Sequence, residues 1–274
     1  MKLSFSPEDE QFRKDVAAWF ADNLVGEFEK LKFRGGPGDE HSYPEERKRW
    51  EQKLAEGGWT CVGWPEKYGG RGLSIEQQVI FFEEYARAGA PGRMGHIGEG
   101  LTGPTLIAFG TEEQKQKYLP ALATGEKIGA FCLSEPEAGS DATSQKTTAK
   151  DAGDHYVLNG TKNWITNGNS ADIYLVIAQT YPEKGHKGIN ALIVEKGMEG
   201  FEIGPKEQKL GIRGSDTHSL NFNDVKVPKE NRIGADGFGF KFAMKTLSGG
   251  RIGIAAQALG IAAGAYELSL KYSK

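Results

Sequence analysis

The chain has 274 residues, 38% of them hydrophobic and 26% charged, with a formal net charge of -3, which is enough for about two domains with a sizeable core. No long basic run is present, so neither nucleic acid nor an anionic membrane surface is expected as a partner. Cys61 and Cys132 stand far apart without metal-type spacing, which excludes a zinc site or disulfide scaffold from the expectation and fits a reducing compartment.

The opening residues, Met1 to Glu10, carry neither a signal core nor an arginine-rich transit pattern. The longest apolar runs, such as Ile173 to Ala178, are too short to span a bilayer. A soluble cytoplasmic protein without membrane insertion is therefore expected. Ser6-Pro7-Glu8-Asp9 reads as a helix opening, with serine to cap, proline in the first turn and acids at the positive end of the dipole. Phe12, Val16, Trp19, Phe20 and Leu24 then recur at helical spacing and give one core-packing face.

Arg34-Gly35-Gly36-Pro37-Gly38-Asp39 is a loop, and a second helix opens at Tyr43-Pro44, carries Trp50, Leu54 and Ala55, and stops at Gly57-Gly58. Residues 59–72 form a turn-rich connector whose aromatics cover the base of a helical bundle. Ser74-Ile75-Glu76-Gln77 resembles a capping box one residue short, ahead of a helix with Val79, Phe81, Phe82 and Tyr85. Residues 89–103 are small and glycine-rich, either a plain interhelical loop or a place where a ligand chain approaches the backbone. Residues 104–109 and 112–119 read as two more short helices, with Gly110-Thr111 as stop and cap.

From Ile128 the period changes. Runs of about six residues rich in valine, isoleucine and tyrosine, separated by turn residues, continue to Pro228 in the manner of a small antiparallel barrel or sandwich. Helical spacing returns after Gly239 with Phe242, Leu247, Ile252, Ala256, Leu259, Ala263, Tyr266 and Leu270, and Gly249-Gly250 marks a point where a helix starts or bends. The segregation predicts an α+β chain: an α-helical domain over 1–126, an antiparallel β-barrel or sandwich over 127–236, and the first helix of a C-terminal bundle over 237–274.

Two stretches carry chemistry. In the run from Phe131 to Asp141, a short strand gives way to Ser134-Glu135-Pro136 and the small residues Ala138, Gly139 and Ser140. Amides beside Gly139 and the Ser134 and Ser140 hydroxyls suit the carbonyls of a flat heterocycle and the oxygens of a phosphate; the same letters also make an ordinary surface turn. Trp164-Ile165-Thr166-Asn167-Gly168 places an indole and a hydroxyl two residues apart on one side of a strand, a grip for an aromatic cofactor.

Together these stretches resemble the acyl-CoA dehydrogenases, flavoproteins that oxidise acyl-CoA thioesters to 2-enoyl-CoA. Residues 209–217, 220–228 and 251–260 match the family's wording as well, so the resemblance runs over essentially the whole chain. It implies FAD as cofactor, with Phe131, Leu133 and Ser134 at the isoalloxazine and Gly139 and Ser140 at the ribityl-phosphate region. Ser140 would also lie near the CoA thioester arm. It places Trp164 against the ring, Ile165 in the same strip, and Thr166 donating toward N5, the atom that receives hydride.

Arg251 would sit by the CoA pantetheine or pyrophosphate, where a guanidinium suits phosphate. Ser248 stands where many relatives have aspartate and keeps a hydrogen bond without the charge, while His186 reads as a solvent-exposed loop histidine. The chemistry asks for a carboxylate to remove the C2 proton and for donors on the thioester carbonyl. In most of the family that glutamate lies in the C-terminal helical domain, and in a minority it precedes the arginine, where this chain has Gly250. The base is thus expected beyond Lys274, leaving no catalytic residue in these 274 and a chain inactive or nearly so by itself, with Glu267 a solvated helix carboxylate. The resemblance further implies a short or medium acyl-CoA substrate, electron-transfer flavoprotein as acceptor and a homotetramer or dimer for a full-length parent. A non-catalytic flavin or acyl-CoA-binding subunit completed by a partner chain, and an acyl-CoA oxidase, fit the same residues.

Overall fold

The computed structural model describes residues 4–36, 39 and 42–274; Met1 to Leu3, and Pro37 and Gly38 of the expected loop, lie outside the described residues. Helix α1 (Pro7–Asn23) opens on a complete box, with the Ser6 hydroxyl accepting the Asp9 N–H and the Asp9 carboxylate answering Ser6. Helices α2 (Pro44–Glu56) and α3 (Ile75–Arg87) pack with α1 around Val16, Phe20, Leu24, Trp50, Leu54 and Phe81. Trp59 stacks on Phe81 with ring centroids 5.6 Å apart, which closes the base of this bundle. The Ser74 box, expected to fall a residue short, is complete, because helix α3 starts at Ile75 and Gln77 is its third residue.

Residues 89–103 are not wholly loop: a π-helical turn, Gly98–Thr102, leads into α4 (Gly103–Phe109), followed by α5 (Glu112–Ala123). Gly103 is required there, since a β-carbon would stand 2.0 Å from the Trp64 ring, whose Nε1 donates to the Glu99 carbonyl at 2.9 Å.

Among the described residues seven strands follow: β1 (Gly129–Cys132), β2 (Thr148–Asp151), β3 (His155–Thr166), β4 (Ile173–Gln179), β5 (Ile189–Glu195), β6 (Phe201–Lys206) and β7 (Thr217–Pro228). Their order is β1-β4-β2-β3-β7-β6, with β5 on the other side of β4. The sheet is mixed, where the sequence reading expected it antiparallel. β1 runs parallel to β4, from Gly129 opposite Ile173 to Cys132 opposite Val176. Side-chain alternation encodes which face a residue takes but not strand direction, and here β2 and β3 intervene before the chain returns beside β1. One face of β1, β4 and β5 packs with α4, α5 and the last helix through Leu106, Leu119, Ile173, Leu175 and Ile193. The other encloses Cys132, Tyr156, Tyr174, Val176 and Leu220. β4 and β5 are buried on both faces, which explains their largely apolar lettering.

Helix α6 (Gly239–Ser273) runs without interruption through Gly249-Gly250. Phe242 and Ala243 anchor it in the core, whereas Ile252, Ile254, Leu259, Leu268 and Tyr272 are exposed. By length and composition alone this helix is long and apolar enough to cross a membrane, although its apolar residues do not form one unbroken run.

Both cysteines are buried and unpaired, and burial pushes both thiols up, which suppresses the reactive thiolate. A thiol-reactive disulfide reagent should therefore label neither in the native protein and both after denaturation; rapid native labelling would contradict the packing described.

Candidate functional site

The two motif stretches, some thirty residues apart in sequence, run side by side. Along β1, Phe131 and Leu133 face the helical side while Ala130 and Cys132 face the enclosed core, as alternation requires. At its end the Ser134 carbonyl accepts the Asn163 N–H at 2.8 Å, and the Lys162 ammonium donates to the Leu133 carbonyl at 3.0 Å. Asn167 Nδ2 donates to the Gly129 carbonyl at 3.3 Å and to the Met94 carbonyl at 3.2 Å. The turn-forming stretch after β1 and the Trp164 stretch therefore share one edge of the curled sheet.

Strand β3 changes face through a bulge. Its register against β7 slips between Lys162 and Ile165, and Trp164 takes a left-handed φ of 59°, with its N–H held by Asn163 Oδ1 at 2.9 Å. Regular alternation from the inward Lys162 would point Trp164 into the core; the extra residue turns Ile165 inward instead. Trp164 is consequently 55% exposed while Ile165 is 2% exposed. A bulky residue held in the left-handed region costs on the order of 1 kcal/mol or more. Thr166, the next outward position, is half-buried and pairs with Thr217 of β7. Beyond it, the Asp216 carboxylate accepts the Ser170 N–H and hydroxyl, each at 2.8 Å, and fixes the turn that follows Gly168.

The loop after β1 is folded on itself. Glu135 and Ala138 exchange backbone hydrogen bonds, and Asp141 accepts from the Thr143 N–H and hydroxyl. Gly139 and Ser140 are exposed between them, and a β-carbon on Gly139 would meet nothing within 4 Å. An outward indole, a half-buried hydroxyl and an open loop of small residues on one edge fit a flat aromatic ring with a phosphate-bearing tail. Leu133 and Ile165 contribute to that edge through backbone only, because their side chains sit in the two cores. Two clefts of about 280 and 290 Å³ lie in the helical domain, one beside Tyr68 and Lys115 and the other beside Phe20 and Arg87. Neither includes a motif residue.

Two buried ionic groups support this edge, and the sequence reading named neither. Lys162, with a fully buried side chain, lies 2.7 Å from Glu135, itself 3% exposed. Burial pushes the Glu135 carboxyl up, but the Lys162 charge and hydrogen bonds outweigh it and hold the carboxyl below the usual range; burial also draws the Lys162 ammonium down. The signal was available, since Tyr156, Leu158, Gly160 and Lys162 share one parity and the first two are core residues. The second group joins Arg93 to Glu51 at 2.9 Å and to Glu99 at 2.8 Å. Glu51 also accepts the Met94 N–H at 2.7 Å, and the Met94 carbonyl holds Asn167, so this cluster links the helical domain to the end of the Trp164 strip.

The residues expected to meet the thioester arm stand apart. Ser248 and Arg251 lie on the exposed part of α6, Ser248 donating to the Met244 carbonyl at 3.1 Å. Among the described residues Arg251 makes no hydrogen bond or ion pair. His186 and Glu267 are exposed, as expected.

Three family models cover the chain: the N-terminal, middle and C-terminal domains of acyl-CoA dehydrogenases match residues 6–126, 130–225 and 237–274. A short-chain specific acyl-CoA dehydrogenase of Clostridium acetobutylicum is 50% identical over 224 residues, 81% of this chain and 59% of that protein. The butyryl-CoA dehydrogenase structure from Megasphaera elsdenii is 41% identical, with a TM-score of 0.76 over 96% of this chain and 67% of that one. An acyl-CoA dehydrogenase from Bacillus anthracis complexed with FAD is 38% identical, with a TM-score of 0.72 over 90% of this chain and 41% of that one. The chain spans about three fifths of the length of the curated relatives it matches.

Proposed function

The chain belongs to the acyl-CoA dehydrogenase family, and from that premise we propose that it forms the FAD-binding part of an enzyme that converts a short or medium acyl-CoA to the 2-enoyl-CoA. The observation that carries this reading is Trp164, expelled from β3 by a left-handed bulge and left exposed beside the end of β1. Bound FAD supplies a hydride acceptor.

The chain's own residues bind and orient. Trp164 offers its indole face to the ring, and Thr166 offers a hydroxyl proton toward the ring edge. Phe131 and the backbone around Ser134 border the same edge, and Gly139 and Ser140 offer amides and a hydroxyl to the phosphate. Arg251, with no partner among the described residues, offers a planar fork to the CoA phosphates, and Ser248 one turn before it offers a hydroxyl. No role in C2 proton removal is given to Glu267, which stands exposed on α6. Electron-transfer flavoprotein is the acceptor proposed for the whole enzyme.

Anaerobic addition of butyryl-CoA and octanoyl-CoA to the FAD-loaded chain tests this. The expected result is a bound flavin whose visible band shifts on addition of the thioester and stays oxidised. Bleaching would assign proton removal to a residue of this chain, with Glu267→Gln the first variant to make. A folded chain that takes up neither FAD nor acyl-CoA would sink the reading.

A further inference from the structure

We propose that the buried Lys162–Glu135 pair is a positioning clamp that fixes the span between the ring-facing strip of β3 and the phosphate-facing loop 135–147, and so sets a preference for phosphate-bearing flavins over riboflavin. The inference rests on the flavin reading above. An ammonium has three protons, and here each meets an acceptor: the Leu133 carbonyl at 3.0 Å, Glu135 Oε1 at 2.7 Å and Gln145 Oε1 at 3.3 Å. The stretch from Leu133 to Glu135 at the start of the loop and Gln145 near its end are thus tied to one atom of β3. The Glu135 carboxylate also accepts the backbone N–H groups of Lys146 and Thr147, so it closes the loop that starts at its own position. Gly139 and Ser140 lie within that loop.

The other end of the clamp is equally local. Lys162 immediately precedes the Asn163–Trp164 bulge, and Asn163 N–H returns to the Ser134 carbonyl. Two residues before Lys162, Gly160 brings β3 against the foot of the loop, where a β-carbon would stand 2.7 Å from Thr147 Cα. A buried ion pair is often no more stabilising than an apolar pair of equal volume. What this one adds is direction, because each hydrogen bond fixes one segment relative to the bulge. The distance from the indole to the loop's exposed amides is set by that geometry, and a ligand that spans both depends on it more than one that uses the ring site alone.

The test uses Lys162→Met and Glu135→Gln, the second keeping shape and an acceptor oxygen in case the first fails to fold. FAD, FMN and riboflavin are titrated against each, and amide hydrogen exchange is measured without flavin. Displacement of the loop should weaken FAD and FMN by about 10- to 100-fold, with riboflavin little changed. The Asn163, Lys146 and Thr147 amides should exchange faster while β4 and β5 stay protected. Equal weakening of all three flavins, or unchanged FMN binding despite faster local exchange, would make the pair structural only and overturn the proposal. If the wild-type chain takes no flavin, the functional reading falls by itself. Exchange then tests the fixed span alone: unchanged amides in Glu135→Gln overturn the clamp, and local opening upholds the span while the flavin preference falls with the functional reading.

Discussion

Arg93→Met should cost the fold about 3–5 kcal/mol, the usual penalty when one partner of a buried ionic group is removed. The guanidinium side chain is 11% exposed between Glu51 at 6% and Glu99 at 16%, so its removal leaves two carboxylates without compensation. Urea unfolding at pH 7 should show a clearly lower midpoint with an unchanged slope. Burial raises the Glu99 carboxyl above its ordinary range, against the opposing pull of Arg93. A carboxyl raised in the folded state stabilises the fold when protonated and loses that contribution as pH rises through its folded value. Deleting Arg93 removes the opposing charge, so the deficit should be largest near pH 7 and shrink toward pH 5. A variant within about 1 kcal/mol of wild type at pH 7, or a deficit that grows on acidification, would contradict the role given to Arg93.

Trp164→Gly should separate cofactor binding from folding. The indole is 55% exposed, so little burial is lost. Glycine also accepts the φ of 59° freely, so the stability should stay level or rise by up to about 1 kcal/mol. FAD affinity should fall by about 5- to 150-fold, the equivalent of the roughly 1–3 kcal/mol that one aromatic stacking contact contributes. A residue whose loss relaxes the backbone and abolishes a binding contact is held there for function. Equal affinities in the two proteins would remove Trp164 from the site.

Much of this was legible because local rules and tertiary packing agree. Ser6 and Thr111 cap helices as their lettering requires, and Val16, Phe20 and Leu24 bury the face that their spacing defines. The site motifs were legible as lettering, and the pairing of Asn163 with Ser134 brings them together. What escaped depends on the third dimension. Trp164 was legible as a cofactor contact, but not the left-handed bulge that turns it outward against strict alternation. Arg93 and Glu51 are 42 positions apart, and single charged letters read as surface until the fold brings them together. Lys162 lay in plain view at an inward parity, but a lysine in a strand is ordinarily taken as exposed. The parallel β1–β4 pairing had no local signal, since alternation does not carry direction.

We propose that one edge of the sheet, from Ser134 to Ser140 and from Trp164 to Thr166, grips FAD. The most direct measurement is a titration of FAD into the purified chain, following flavin and tryptophan fluorescence together, with circular dichroism confirming the fold. Saturable binding of one FAD per chain is expected, with indole quenching that is smaller and needs more FAD in Trp164→Gly. A folded chain that leaves flavin fluorescence unchanged, or quenching of the same amplitude and midpoint in Trp164→Gly, would contradict this assignment.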